Sequence, residues 1–140
     1  MEPEKTISVI GGDTRIYFTA KRFLSLGRPV LCFSTKPYEG RMAKTLDEAM
    51  RADIIVFGVP FSKDGRTVFA PFAEQNIYIK DALGALKPGH IVFAGMQDEA
   101  TRGRMEAAGT RVFDYMRDEP LTAANAALTA EALTEILKKE

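Results

Sequence analysis

The sequence has no tryptophan, a single cysteine (Cys32) and a single histidine (His90). One cysteine excludes a disulfide within the chain, which suits a reducing cytoplasm. One histidine with one cysteine is too few for a zinc site and argues against a Cys/His catalytic pair. Net charge is missing as well. Nineteen basic residues balance nineteen acidic ones, so nothing favours nucleic acid or an anionic membrane. No apolar run approaches membrane length, and the start Met-Glu-Pro-Glu-Lys is too polar for a signal peptide. The Gly-x-Gly-x-x-Gly fingerprint of dinucleotide sites is also absent. What is present is an ordinary globular balance, 46% apolar and 27% charged, in 140 residues that suit one domain with a core.

The stretch Thr6 to Arg15 organises the rest. Ile7, Val9 and Ile10 read as a buried strand, Gly11-Gly12 as a turn without Cβ atoms, and Asp13 or Thr14 as the cap of a helix carrying Ile16, Ala20, Phe23 and Leu24. Pro29 to Ser34, Asp53 to Gly58, Ile91 to Ala94 and Thr110 to Asp114 are four further strands, the first three with unbroken apolar runs. Between them the pattern predicts short helices at Leu46–Arg51, behind a Thr45/Glu48 capping box, and at Asp81–Leu86. Another follows the cap at Asp98 and ends at Gly109. Asp64-Gly65 signals a hairpin, with Thr67–Ala70 as its returning strand. Leu121 onward reads as a long C-terminal helix. The alternation implies a doubly wound, flavodoxin-like α/β domain: five parallel strands in the order 2-1-3-4-5, helices on both faces.

Ligands of such sheets bind at the carboxyl ends of the strands, which selects Gly11, Gly12, Asp13, Arg15, Val59, Pro60 and Gly95. Arg15 leads, because a guanidinium grips a carboxylate with two prongs and the helix N-terminus behind Gly12 adds N–H donors. The competing reading is an ion pair with Asp13, whose ordinary role is the cap. Phe61 and Phe72, flanked by Pro60 and Pro71, read either as a decorated loop or as a pocket wall. Cys32 reads as a buried inert thiol, and His90 as a loop or strand-edge residue.

Several motifs occur in order: strand-Gly-Gly-Asp-x-Arg15, the strand from Asp53 ending in Val59-Pro60, Ala70-Pro71-Phe72, Ile91-Val-Phe-x-Gly95 and Asn125-Ala-x-x-Thr129-Ala-Glu131. In this the chain resembles the N-terminal domain of the dipicolinate synthase A subunit over nearly its whole length. The resemblance implies a flavodoxin-like domain on the substrate side of an NAD- or NADP-dependent oxidoreductase that converts dihydrodipicolinate to dipicolinate during spore formation. It further implies a separate Rossmann domain for the coenzyme, a small dicarboxylate substrate and a flavoprotein-like partner, the enzyme's B subunit. That coenzyme domain is absent from these 140 residues, so the chain alone is expected to bind no NAD(P) and to be inactive.

The chain departs from the family's Ile-Pro-Thr-x-Glu-Gly at Ala127 to Ala132, where Leu128 and Ala132 permit a continuous helix. Asn125 and Thr129 then share one face with Leu121, Leu128 and Ala132, and either find partners internally or meet the second domain. The apolar stripe from Leu121 to Leu137 is expected to mediate a homodimer. The alternative function is a stand-alone module binding a small anion in the same cleft. A receiver-like signalling domain is disfavoured, because Asp53 opens its strand instead of closing it.

Overall fold

Six parallel strands form one sheet, and the computed structural model describes residues 5–37 and 40–114 of the chain. In chain order the elements are β1 (Ile7–Ile10), α1 (Thr14–Ser25), β2 (Val30–Phe33), β3 (Arg41–Met42), α2 (Leu46–Ala49), β4 (Ile54–Phe57), α3 (Ile79–Gly84), β5 (Ile91–Ala94), α4 (Glu99–Ala107) and β6 (Arg111–Asp114). The strand order is β3-β2-β1-β4-β5-β6. The expected five-stranded sheet of order 2-1-3-4-5 is therefore corrected to six strands in a Rossmann-type order. The addition is the two-residue edge strand β3, whose Arg41 and Met42 pair with Leu31 and Cys32. Both β3 residues are exposed, so no burial pattern marks them in the sequence.

β1, β4 and β5 are buried at all four positions, because helices cover both faces. On one face α1 places Ile16, Ala20 and Phe23 against Ile7, Val9, Val56 and Phe93. On the other, residues of α2, α3 and α4 pack on Ile10, Ile55, Phe57 and Val92. The caps explain the helix starts. Asp13 accepts from Arg15 N, Thr45 from Glu48 N, and Asp98 from Thr101 N. Glu48 reaches back one residue further than a capping box requires, taking the N–H of Lys44 at 2.8 Å. α2 stops at Ala49, two residues short of its expected end, and α3 starts at Ile79, two before Asp81.

The Asp64-Gly65 turn forms, but Thr67–Ala70 makes no ladder strand. It is held by an isolated antiparallel bridge from Thr67 to Tyr78 and by the bonds Val68 N to Ile77 O and Phe69 N to Phe61 O, each 2.8 Å. Cys32 is fully buried, and that burial pushes its thiol up to about 12, so it is inert. His90 is buried at the start of β5, where its Nδ1 accepts the N–H of Lys87 at 3.1 Å and burial lowers its pKa. Asp53, before β4, takes the N–H of Thr6 at 2.9 Å at the amino end of the sheet, a pin between strands. Among the described residues no helix is long and apolar enough to cross a membrane, and no cluster of His, Cys, Asp and Glu could hold a metal. The expected C-terminal helix, with Asn125, Thr129 and the dimer stripe Leu121–Leu137, lies outside the described residues.

Candidate functional site

In the order 3-2-1-4-5-6 the chain winds one way from β1 and the other way from β4, so the ligand crevice of the fold opens between their carboxyl ends. Gly11 and Gly12 follow β1 with φ of 65° and 83°, a left-handed pair that suits glycine. Gly58 follows β4. A Cβ on Gly58 would lie 2.6 Å from Gly12 Cα, and one on Gly12 would lie 2.7 Å from Ile16 Cγ2. The two turns touch backbone to backbone, and the floor of the crevice is closed.

Above this floor sits Arg15. Its Nη2 donates to Asp13 Oδ2 at 2.9 Å and to the Val59 carbonyl at 3.1 Å, and its Nε lies 3.2 Å from both Asp13 oxygens. The side chain is nevertheless 74% exposed. Asp13 also accepts the Arg15 N–H at 3.0 Å, and these bonds, the Arg15 side chain first, hold its carboxyl below the usual range. Arg15 thus forms the ion pair with Asp13 and stands, exposed, at the mouth of the crevice.

Four of the backbone donors here are already engaged. Gly11 N–H donates to Phe33 O at 2.9 Å and Gly12 N–H to Phe69 O at 2.8 Å. In α1, Arg15 N–H is taken by the Asp13 carboxylate and Ile16 N–H by the Asp13 carbonyl at 3.2 Å. The cap that starts the helix thus engages the Arg15 and Ile16 donors, which reduces what this helix N-terminus offers an anion. The turn also lacks the Gly-x-Gly-x-x-Gly fingerprint of a pyrophosphate site, both of its glycine N–H groups are engaged, and Phe69 O stands 2.8 Å from where a Gly11 Cβ would lie.

A strap, residues 61–70, produces this closure. Phe61 is buried edge-on against Phe57, with centroids 5.0 Å apart. Its N–H donates to Gly95 O at 2.7 Å, which joins the strap to the end of β5. Asp64 shapes the strap's turn, accepting from Arg66 N (2.9 Å), Thr67 N (2.8 Å) and Thr67 Oγ1 (2.9 Å). Of the residues selected from sequence, Gly11, Gly12, Asp13, Arg15 and Val59 come together directly, Pro60 adjoins them, and Gly95 is tied in through Phe61. Phe61 is core and not pocket wall. Gly58 and the Phe69–Ala70 arm were not selected, although a glycine directly after an unbroken apolar strand is a signal for close backbone approach.

The carboxyls of Asp13, Asp64 and Asp98 all lie below the ordinary 3.8, each held by hydrogen bonds to its charged form. Each thus contributes stability that is fully present above its unfolded pKa and lost as pH falls through the folded one. The melting temperature is expected to drop on acidification below about pH 4. Asp64→Asn should flatten that dependence in thermal melts across the acid range. An unchanged slope would show that the Asp64 turn opens without cost.

Comparison with known proteins follows the geometry. The family model for the N-terminal domain of the dipicolinate synthase A subunit matches residues 6–116. No curated protein sequence matches the chain. Among solved structures, the A chain of dipicolinate synthase from Bacillus subtilis aligns with a TM-score of 0.69 and 17% identity, over 84% of this chain and 42% of that one. The dipicolinate synthase A subunit from Bacillus halodurans gives 0.66 and 16%, over 81% and 41%. A putative oxidoreductase from Pseudomonas putida KT2440 gives 0.51 and 12%, over 80% and 40%. The chain thus spans about two fifths of the length of these structures, and at such identities the likeness is one of fold. Because one family model covers residues 6–116, well over half of the chain, the protein belongs to the family of dipicolinate synthase A-subunit N-terminal domains.

Proposed function

We propose that this chain is the substrate-side domain of an NAD- or NADP-dependent oxidoreductase of the dipicolinate synthase type, which oxidises dihydrodipicolinate to dipicolinate in spore formation together with its B subunit. Family membership supports the reaction class, and one observation carries the site. Arg15 is exposed, yet its guanidinium is held by Asp13 and by Val59 O at the mouth of the β1–β4 crevice. A guanidinium fixed in this way loses little side-chain freedom when it grips a carboxylate. The coenzyme would be held by a separate domain, since the β1 turn lacks the dinucleotide fingerprint and both of its glycine N–H groups are engaged. The same Arg15 would serve the second reading, a small-anion module that acts alone.

Arg15→Lys keeps the charge and loses the planar guanidinium that Asp13 and Val59 O hold in place. In the complete gene product it should weaken dipicolinate by about 1–3 kcal/mol, the range for hydrogen bonds to charged groups, with little change in stability. Unchanged affinity in a titration would reduce Arg15 to a surface ion pair. NAD(P)-linked turnover of the complete product separates the two readings, because a module alone would bind the anion and oxidise nothing. Isothermal titration of residues 1–140 with NAD and NADP is expected to show no saturable heat. A stoichiometric isotherm would move the coenzyme into this domain.

A further inference from the structure

A cleft of about 650 Å³ lies at the carboxyl ends of β2 and β3, on the flank covered by α2 and α3, and contains none of the residues of the Arg15 site. Its size falls within the range of small-molecule sites, roughly 300–1,000 Å³. Three large apolar side chains that stand between 41% and 45% exposed, Met42, Phe72 and Tyr78, all line it, with Ile77 buried beneath. They come from three separate places in the chain: the edge strand, the 70s loop and the N-cap position of α3. Exposed aromatic and thioether groups that converge in a concavity are a binding feature, whereas single exposed ones are ordinary.

The charges select the occupant. Glu74 and Asp81 line the cleft against one lysine, Lys44. A groove of about 520 Å³ continues from it past Asp81, adding Asp47 and Lys80. Among the described residues the trough holds three carboxylates and two ammonium groups, with π-faces on Phe72 and Tyr78. Lys80 Nζ already stands 5.9 Å from the Tyr78 ring centroid, so that ring accommodates a cation at its face.

We propose that this cleft is a second small-molecule site that takes an organic cation with an aromatic or apolar body, such as an arylalkylamine. Its body would pack between Phe72, Tyr78 and Met42, and its ammonium would face Glu74 and Asp81. The inference stands independently of the reading of Arg15.

The test is an NMR titration of the chain with two probes of one shape and opposite charge, tyramine and 3-(4-hydroxyphenyl)propanoate. Tyramine should give saturable amide shifts at Met42, Asn76 and Tyr78, with a Kd of about 1 mM or tighter. The carboxylate should bind at least roughly tenfold more weakly. Phe72 is exposed, so Phe72→Ala should fold normally and weaken tyramine several-fold, while Asp81→Asn should narrow the preference between the probes. The proposal is overturned by tyramine failing to saturate, by equal affinity for both probes, by shifts that cluster at Gly12 and Arg15, or by a Phe72→Ala chain that folds and binds tyramine unchanged.

Discussion

Gly58→Ala is expected to cost at least about 3 kcal/mol of folding stability, the upper part of the range for overpacking. The added methyl would lie 2.6 Å from Gly12 Cα and 3.4 Å from Gly12 N. These are backbone atoms, so no rotamer change relieves the contact. The N–H of Gly12 is bonded to Phe69 O, so a retreat by Gly12 would break that bond. Against a total of about 5–15 kcal/mol for a domain of this kind, the loss is a large fraction. Gly103→Ala is the control. Gly103 sits inside α4 with open space where a Cβ would go, so alanine there should stabilise by about 0.5–1 kcal/mol through helix propensity. Urea unfolding of both variants reads opposite signs. A Gly58→Ala chain as stable as its parent would show that the two turns do not touch.

Phe61→Ala comes next, at about 3–5 kcal/mol, the usual cost of truncating a fully buried phenylalanine. Phe61 is 1% exposed, and its ring meets Phe57 edge-on. The same residue anchors the strap at both backbone groups, to Gly95 and to Phe69. Its truncation should therefore loosen the strap beyond the loss in core packing. Hydrogen exchange at the Gly12 amide, whose acceptor is Phe69 O, should accelerate more than at the amides of β4. If the two accelerate alike, the strap has no separate dependence on Phe61 and the change is global.

The five longer strands and their helices were legible because unbroken apolar runs such as Ile54–Phe57 admit few other readings, and because Asp13, Thr45 and Asp98 are caps by side-chain chemistry. β3 was not legible, since two exposed residues carry no periodicity. Thr67–Ala70 looked like a strand, but its bonds go to Phe61, Ile77 and Tyr78 singly, a distribution that local pattern does not encode. The glycines of the site and Arg15 could be read from the β1 turn. That Phe33 and Phe69 would take the glycine N–H groups could not be read, because both acceptors lie far away in sequence and arrive only through tertiary packing. The cleft of Met42, Phe72 and Tyr78 was hidden for the same reason, apart from Phe72 as one side of a possible wall.

The closed turn after β1 bears on how this domain can change over evolutionary time. A turn that reads its ligand with main-chain N–H groups offers selection little to alter, because every residue supplies the same amide. Here the amides of Gly11 and Gly12 are committed to Phe33 and Phe69, so at these two positions recognition passes to side chains, Arg15 foremost on the reading proposed above. On that reading a single codon would redirect ligand preference while the Gly12–Gly58 contact keeps the scaffold unchanged. Homologues that share these glycines and the strap, yet differ at position 15, should prove to have diverged in ligand before they diverged in fold.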